Sequence, residues 1–291
     1  MQPAISNGQQ IRYSKTKKRF SLGTAFMYIV LTAWSLTTIY PLFWIFNNSF
    51  KESRDVMNKS FSLAWDPVLT NYTTAFDRIN IGKSYLNSII MSGSTVIFVL
   101  LFGGLAAYVL SRFNFRGKRV IYSVLYATLL VPAFATVVPV YELLIKTSLV
   151  NTYWGLILPQ TAGNLTFAIL VIAGYMSTIA KELEEAAFID GCNRWQMFMK
   201  IFMPVSRPVF ASVTIFVFLW SYNDLFSALI FVSKESVRPI VALLSEISSQ
   251  YGTDFGLMAT AVTLTVLPIL LIYLFISKFI EQGLTEGAVK G

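Results

Sequence analysis

Six apolar runs, each close to the length that crosses a hydrocarbon layer, constrain this chain more than any other feature. They cover about Leu22–Phe46, Leu86–Leu110, Val120–Leu144, Tyr153–Tyr175, Pro208–Phe231 and Ala259–Ser277. A span needs roughly 20 apolar residues, because a helix rises about 1.5 Å per residue through a core about 30 Å thick. None of the six holds a run of charges. Lipid offers backbone amides no partner, so segments of this length must bond internally as helices. The expected fold is all-α, a polytopic membrane protein with six transmembrane helices. Proline at positions 41, 132, 139 and 268 removes helix hydrogen bonds in or near these runs and predicts kinks or broken turns.

Composition excludes several function classes. Charged residues make up 13% of the chain and hydrophobic residues 55%, whereas a soluble domain carries about 25% charged residues. The net charge of +8 is the excess of Lys and Arg that a membrane protein keeps on its cytoplasmic loops, and no nucleic-acid partner is expected. The single cysteine, Cys192, permits no intrachain disulfide. With no histidine, His-based triads, His proton relays and imidazole metal sites are absent. No metal site is expected.

The same charges set the orientation. Met1 to Arg19 carries Arg12, Lys15, Lys17, Lys18 and Arg19 and no acid. The run that follows is longer than a signal-peptide core, and is read as a retained first span. Between the second and third runs lie Arg112, Arg116, Lys118 and Arg119, again without an acid. Between the third and fourth, about Ile145 to Thr152, only Lys146 is charged. The bias places the tail of residues 1–20 and the Arg112 loop in the cytoplasm. Six spans in the segment 21–280 return a C-terminal tail, 281–291, to the same side. Segment Asn47–Tyr85 is then an external loop. Within it Gly82-Lys83-Ser84 has the look of a phosphate loop, but the glycine that motif needs five residues earlier is Asp77. No other stretch offers a nucleotide site, so ATP would bind another chain.

The most informative polar stretch is Lys181–Pro208, KELEEAAFIDGCNRWQMFMKIFMPVSRP, between the fourth and fifth runs. Its orientation is cytoplasmic. Glu, Leu and Ala favour helix up to Ile189. Asp190-Gly191 interrupts, with Asp190 a candidate cap for the next helix. From Asn193 the pattern resumes, with Trp195, Phe198, Met199 and Phe202 on one apolar face. By pattern alone that face suits a partner groove, an interfacial helix on lipid or packing within the protein.

A second cluster, Trp220, Tyr222, Asn223 and Asp224, lies late in the fifth run. Asp224 falls about 24 Å along a helix that begins at Pro208, near the outer end. An intramembrane acid is a candidate functional group. The competing reading, which is favoured, gives Asn223 and Asp224 a capping role at a helix break. Aromatic rings and amides also suit the faces and hydroxyls of a sugar.

Glu185-Ala186-Ala187, then Gly191, Ile201 and Pro204 at the spacing seen here, resembles the EAA loop of permease subunits in bacterial binding-protein-dependent ABC importers. Cys192 and Met203 depart slightly from the usual form. The carbohydrate, maltose-type branch is resembled further by Asn87-Ser88, Ala106-Ala107-Tyr108, Ser111-Arg112-Phe113 and Phe115-Arg116-Gly117. Trp220 with Asn223-Asp224 looks like that branch's Trp-Asn-Asp element, with Ser221 and Tyr222 inserted. The final stretch, Gly283 to Gly291, is similar to a tail that reaches between paired ATPases.

The resemblance implies a coupling helix between spans 4 and 5, docked on an ATPase through Glu185, Ala186, Ala187, Phe188, Asp190, Gly191, Trp195, Phe198 and Pro204. It implies tail contacts from Gly283, Thr285, Glu286, Gly287 and Lys290. It further implies a second, non-identical permease subunit, two ATPase subunits that hold ATP-Mg, an extracytoplasmic sugar-binding protein, and residence in the bacterial inner membrane. This chain would bind no cofactor and catalyse no reaction itself. Two other readings keep the six spans. A permease for a non-sugar solute shares the loop. An ion-coupled secondary transporter needs a deep acid, and Asp224 and Glu142 both lie near expected helix ends.

Overall fold

The computed structural model describes residues 22–243 and 254–288, with the side chains at 78, 79, 272 and 274–288 outside the description. The chain divides into two compact units, Met1–Trp44 and Ile45–Gly291. Among the described residues there is no strand, so the all-α expectation holds. Among the described residues, three helices are long and apolar enough to cross a membrane: α1 (Leu22–Asn48), α4 (Ile81–Arg112) and α7 (Trp154–Ser177). Pro41 lies within α1 without ending it.

The expected external loop is largely helical. It holds α2 (Ser53–Asn58) and α3 (Thr70–Ile79), and α4 begins at Ile81, ahead of the expected run. Gly82-Lys83-Ser84 is therefore the first turn of a helix, not a phosphate loop. Asn71 organises the segment by donating from Nδ2 to the carbonyls of Ser49 (3.1 Å) and Lys51 (2.9 Å). Thr260 donates from α13 (Phe255–Ala288) to the same Ser49 carbonyl at 3.0 Å.

Two of the expected single spans are broken. The third run forms α5 (Lys118–Thr128) and α6 (Ala133–Lys146), which meet at 100°. The backbone shows why. Leu129, Leu130 and Val131 donate to carbonyls three residues back, unwinding the α ladder. Pro132 then sits extended (φ −61, ψ 131) as the N-cap of α6 and has no N–H to continue it. Pro139 lies inside α6 without breaking it.

The fifth run is also divided. Here α11 (Arg207–Tyr222) stops, and α12 (Leu225–Phe231) starts after Asn223 and Asp224. Each fragment is shorter than the roughly 20 residues of a span.

Helices α4, α7 and α11 pack a shared core of Val99, Ala107, Ile172, Met176, Val213 and Val217. Small residues let them approach: a Cβ added at Gly103 would lie 3.2 Å from that of Ala168, and one at Gly104 would lie 2.9 Å from the Phe210 ring. This is how helices associate where lipid tails remove the hydrophobic incentive. Helix α13 continues through Ala288, so Gly283, Thr285, Glu286 and Gly287 have helical backbone. Their side chains, and Lys290 entirely, lie outside the described residues.

Candidate functional site

The loop between α7 and α11 is built from two helices joined by an unusually complete pair of caps. α8 (Lys181–Ile189) starts with Glu182 and Glu184 in its first turn, where the helix dipole favours acids. It ends at Asp190. Gly191 follows at φ +78, a conformation that a side chain resists, although a Cβ there would meet nothing within 4 Å. Gly191 N–H bonds the Phe188 carbonyl at 3.1 Å, and Cys192 N–H bonds that of Ala187 at 2.9 Å. These are the two bonds of a Schellman closure.

Asn193 then opens α9 (Arg194–Met197). Its Oδ1 accepts from Gln196 N–H, and its own N–H donates to Gln196 Oε1, both at 2.9 Å. This reciprocal capping box belongs to Asn193; the expectation that Asp190 caps the second helix is corrected. A π turn (Phe198–Phe202) and α10 (Met203–Val205) follow, and the chain bends by 76° into α11.

Exposure sorts the expected docking residues. Glu185, Ala186, Asp190 and Gly191 are exposed, as are Phe188 (73%), Ile189 (83%) and Trp195 (58%). Ala187 is buried and Pro204 half-buried. The single apolar face expected for Trp195, Phe198, Met199 and Phe202 is split. Trp195 and Met199 point outward, whereas Phe198 and Phe202 are buried. Tyr108 captures both rings, with centroids at 5.2 Å and 5.1 Å. Phe198 is thus a core residue, not part of the exposed patch.

The second cluster borders a groove of about 710 Å³ formed by α6, α7, α11 and α12. Trp220, Asn223 and Asp224 line it. Tyr222 does not: it is buried with Ala75, Ile240 and Leu257. Trp220 sits edge-on to Phe167 at 4.8 Å, and Phe134 edge-on to Phe226 at 4.7 Å. Asn223 turns back to cap α11 by donating to Leu219 O at 2.8 Å.

Asp224 is the N-cap of α12, with Oδ1 accepting from Ser227 N–H at 3.1 Å. Its other oxygen accepts from Gln160 Nε2, also at 3.1 Å. Gln160 in turn accepts from Ser221 Oγ at 2.5 Å and from Thr95 Oγ1 at 3.4 Å. The capping reading of Asn223 and Asp224 is borne out, and a polar knot joining α4, α7 and α11 is added to it. The groove offers rings, amides and one carboxylate, Asp224 being the sole charged residue among the described ones that line it.

Residues 99–286 match the family described as binding-protein-dependent transport system inner membrane component. The chain belongs to that family. Among its relatives is the diacetylchitobiose uptake system permease protein NgcG of Streptomyces coelicolor, 34% identical over 95% of this chain and 91% of that one. Another is the melibiose/raffinose/stachyose import permease protein MelC of Bacillus subtilis, 29% identical over 86% of this chain and 91% of the relative. The fold is shared with a bacterial ABC transporter involved in the import of the acidic polysaccharide alginate. That match has a TM-score of 0.79 at 22% identity and covers 89% of this chain and 98% of that one.

Within this permease family member, sequence reasoning missed Gln160 and Ser221, the centre of the polar knot. The available signal was a glutamine inside a run of spanning length that holds no charged residue. In the sequence Tyr108 and Arg112 stand out only through the family resemblance and the count of basic residues. The structure brings both against the loop.

Proposed function

We propose that this chain is one permease subunit of an ATP-driven, binding-protein-dependent importer of sugars or oligosaccharides. It would form half of the pathway and couple to a separate ATPase through the cytoplasmic loop 181–208. The observation that carries the reading is the loop itself. A rigidly capped pair of short helices presents Glu185, Ala186, Phe188, Ile189 and Gly191 outward while Ala187, Phe198 and Phe202 anchor it to α4 and α7. Exposed phenylalanine and isoleucine beside a glutamate suit a protein groove better than water.

A sugar cargo is supported by the relatives, whose names specify diacetylchitobiose and the melibiose, raffinose and stachyose group. The ring-and-amide lining of the groove by Trp220, Asn223 and Asp224 suits the same chemistry. Six crossings are supported by α1, α4, the bent pair α5–α6, α7, α11 with α12, and α13. The orientation rests on the Lys and Arg bias. A distinct second permease, two ATPase chains with ATP-Mg, an extracytoplasmic binding protein and tail contacts from 283–290 complete the assembly. ATP closure of the ATPase pair would move the loop and switch the pathway between two states.

The test is reconstitution with the partner permease and ATPase in proteoliposomes, comparing Glu185→Ala and Gly191→Pro with the unaltered chain. Proline cannot adopt φ +78 and would remove the N–H that bonds Phe188. Loss of binding-protein-stimulated hydrolysis and uptake, with the membrane fold intact, is the expected result. Uptake that proceeds without any ATPase would replace the reading with an ion-coupled transporter.

A further inference from the structure

The end of α4 and the 181–208 loop exchange arginines. Arg112, the last residue of α4, reaches into the loop: its guanidinium lies over the Phe202 ring at 4.5 Å from the centroid. The same group donates from Nη2 to the carbonyls of Met176 and, at 2.7 Å, Ile179, where α7 runs out. In the reverse direction Arg194, the first residue of α9, lies over the Phe113 ring at 4.4 Å. The Tyr108 hydroxyl donates to the Arg194 carbonyl at 3.3 Å. The Tyr108 ring packs among Phe113, Phe198 and Phe202 at 5.1–5.5 Å. Three elements that are separate in sequence therefore meet at one guanidinium.

A fork of planar donors is what this geometry needs. One face of the guanidinium can lie on a ring while its edge bonds carbonyls, which a lysine ammonium cannot reproduce. Phe202 is 0% exposed, so the arginine is fixed by a partner that itself cannot move without the core. At the end of α7 Thr178 Oγ1 caps the Tyr175 carbonyl at 2.8 Å, and Arg112 takes the carbonyls of Met176 and Ile179, adding the positive charge favoured at a helix C-terminus.

We propose that Arg112 is a positioning residue for energy coupling, which makes the docking loop and the ends of α4 and α7 move as one body. The inference rests on the proposed function. When an ATPase displaces α8, a rigid brace transmits the displacement to both helices. A slack brace lets the loop rock in its cleft while the pathway stays where it was. The consequence is slippage: ATP is hydrolysed without solute crossing.

The experiment uses the complete importer in proteoliposomes and reads the number of ATP molecules hydrolysed per solute imported. Arg112→Met keeps the aliphatic stem and removes the fork. It is expected to assemble, to retain at least half of the binding-protein-stimulated hydrolysis, and to raise the ATP-per-solute ratio about fivefold, within the range by which coupling networks are modulated. Arg112→Lys should fall between. Arg194→Met, which loosens the reciprocal contact from the exposed side, should raise the ratio about twofold.

An unchanged ratio, whether both rates fall together or neither falls, overturns the proposal, because a purely structural role lowers the amount of complex and leaves its stoichiometry alone. Should Arg112→Met fail to assemble, the Arg194→Met ratio decides: a rise supports the brace and no change refutes it. Failure of the underlying reading is distinct. In that case the unaltered chain shows no ATP-driven uptake, or Glu185→Ala changes nothing.

Discussion

The loop of 181–208 and the α11–α12 break solve one problem in two ways. Both are places where a helix stops and another begins after a short gap, four residues in the loop and two at the break. In the loop the closing is local: a Schellman pair of backbone bonds at Gly191 and a capping box between the neighbours Asn193 and Gln196 satisfy the free amides and carbonyls within the turn. Its side chains are thereby released, and Phe188, Ile189 and Trp195 face outward. At the break the reverse holds. Asn223 and Asp224 spend their side chains on caps, and Asp224 draws Gln160, Ser221 and Thr95 into the closure. Locally closed turns can present a surface in water. A turn that opens among apolar helices must borrow polar groups from its neighbours, because lipid supplies none.

That contrast predicts that stability and transport respond oppositely at the two sites. Gln160→Leu should have the largest effect on stability. It strands the hydroxyl of Thr95, 0% exposed, leaves Ser221 only its 3.2 Å bond to Ser92, and removes the donor to Asp224. The cost should be about 3 kcal/mol, seen as a lowered midpoint in thermal unfolding of the detergent-solubilised chain. A cost below about 0.5 kcal/mol would mean that the three neighbouring elements do not share the closure. Gly191→Val comes next. It meets no neighbour, so only the left-handed backbone resists it, at about 1–2 kcal/mol. Stimulated hydrolysis should fall much further than that loss of stability explains. Equal falls in both would make the loop a structural turn only. Asn193→Ala removes the capping box for about 1 kcal/mol. Because Asn193 is not one of the proposed docking residues, stimulated hydrolysis should stay within about twofold of the original.

Much of the fold was legible because lipid leaves the chain few choices. Six apolar runs gave helices, and Pro132 marked a real break. What sequence pattern misjudged was geometry that side chains impose from a distance. The i, i+3, i+4, i+7 series of Trp195, Phe198, Met199 and Phe202 reads as one face only if the helix is a regular α-helix. A π turn and the Tyr108 ring divide it. Tyr222 sits between the candidates Trp220 and Asn223 in sequence, yet it turns into the core while they face the groove. Gln160 announces itself as polar, but its partners lie 61 to 65 positions away, and no local pattern encodes that pairing. The turn at Glu185 to Gly191 was readable because what the structure shows there, an exposed glutamate and a glycine at positive φ, is local.

If borrowing of side chains is the rule inside the membrane region, α13 should obey it as well, although the effect there is the smallest. Pro268 has no N–H for the carbonyl four residues back, which is that of Leu264. The Tyr85 hydroxyl from α4 donates to that same carbonyl. Tyr85→Phe should therefore cost about 1 kcal/mol. Pro268→Ala returns an amide to Leu264 and makes the tyrosine hydroxyl redundant, so the two substitutions should not add. In a double-mutant cycle by thermal unfolding, Pro268→Ala should recover about 1 kcal/mol more when combined with Tyr85→Phe than when made alone. Simple additivity would show that the hydroxyl and the missing amide are unrelated. The contrast between locally closed and borrowed helix ends would then be confined to the α11–α12 break.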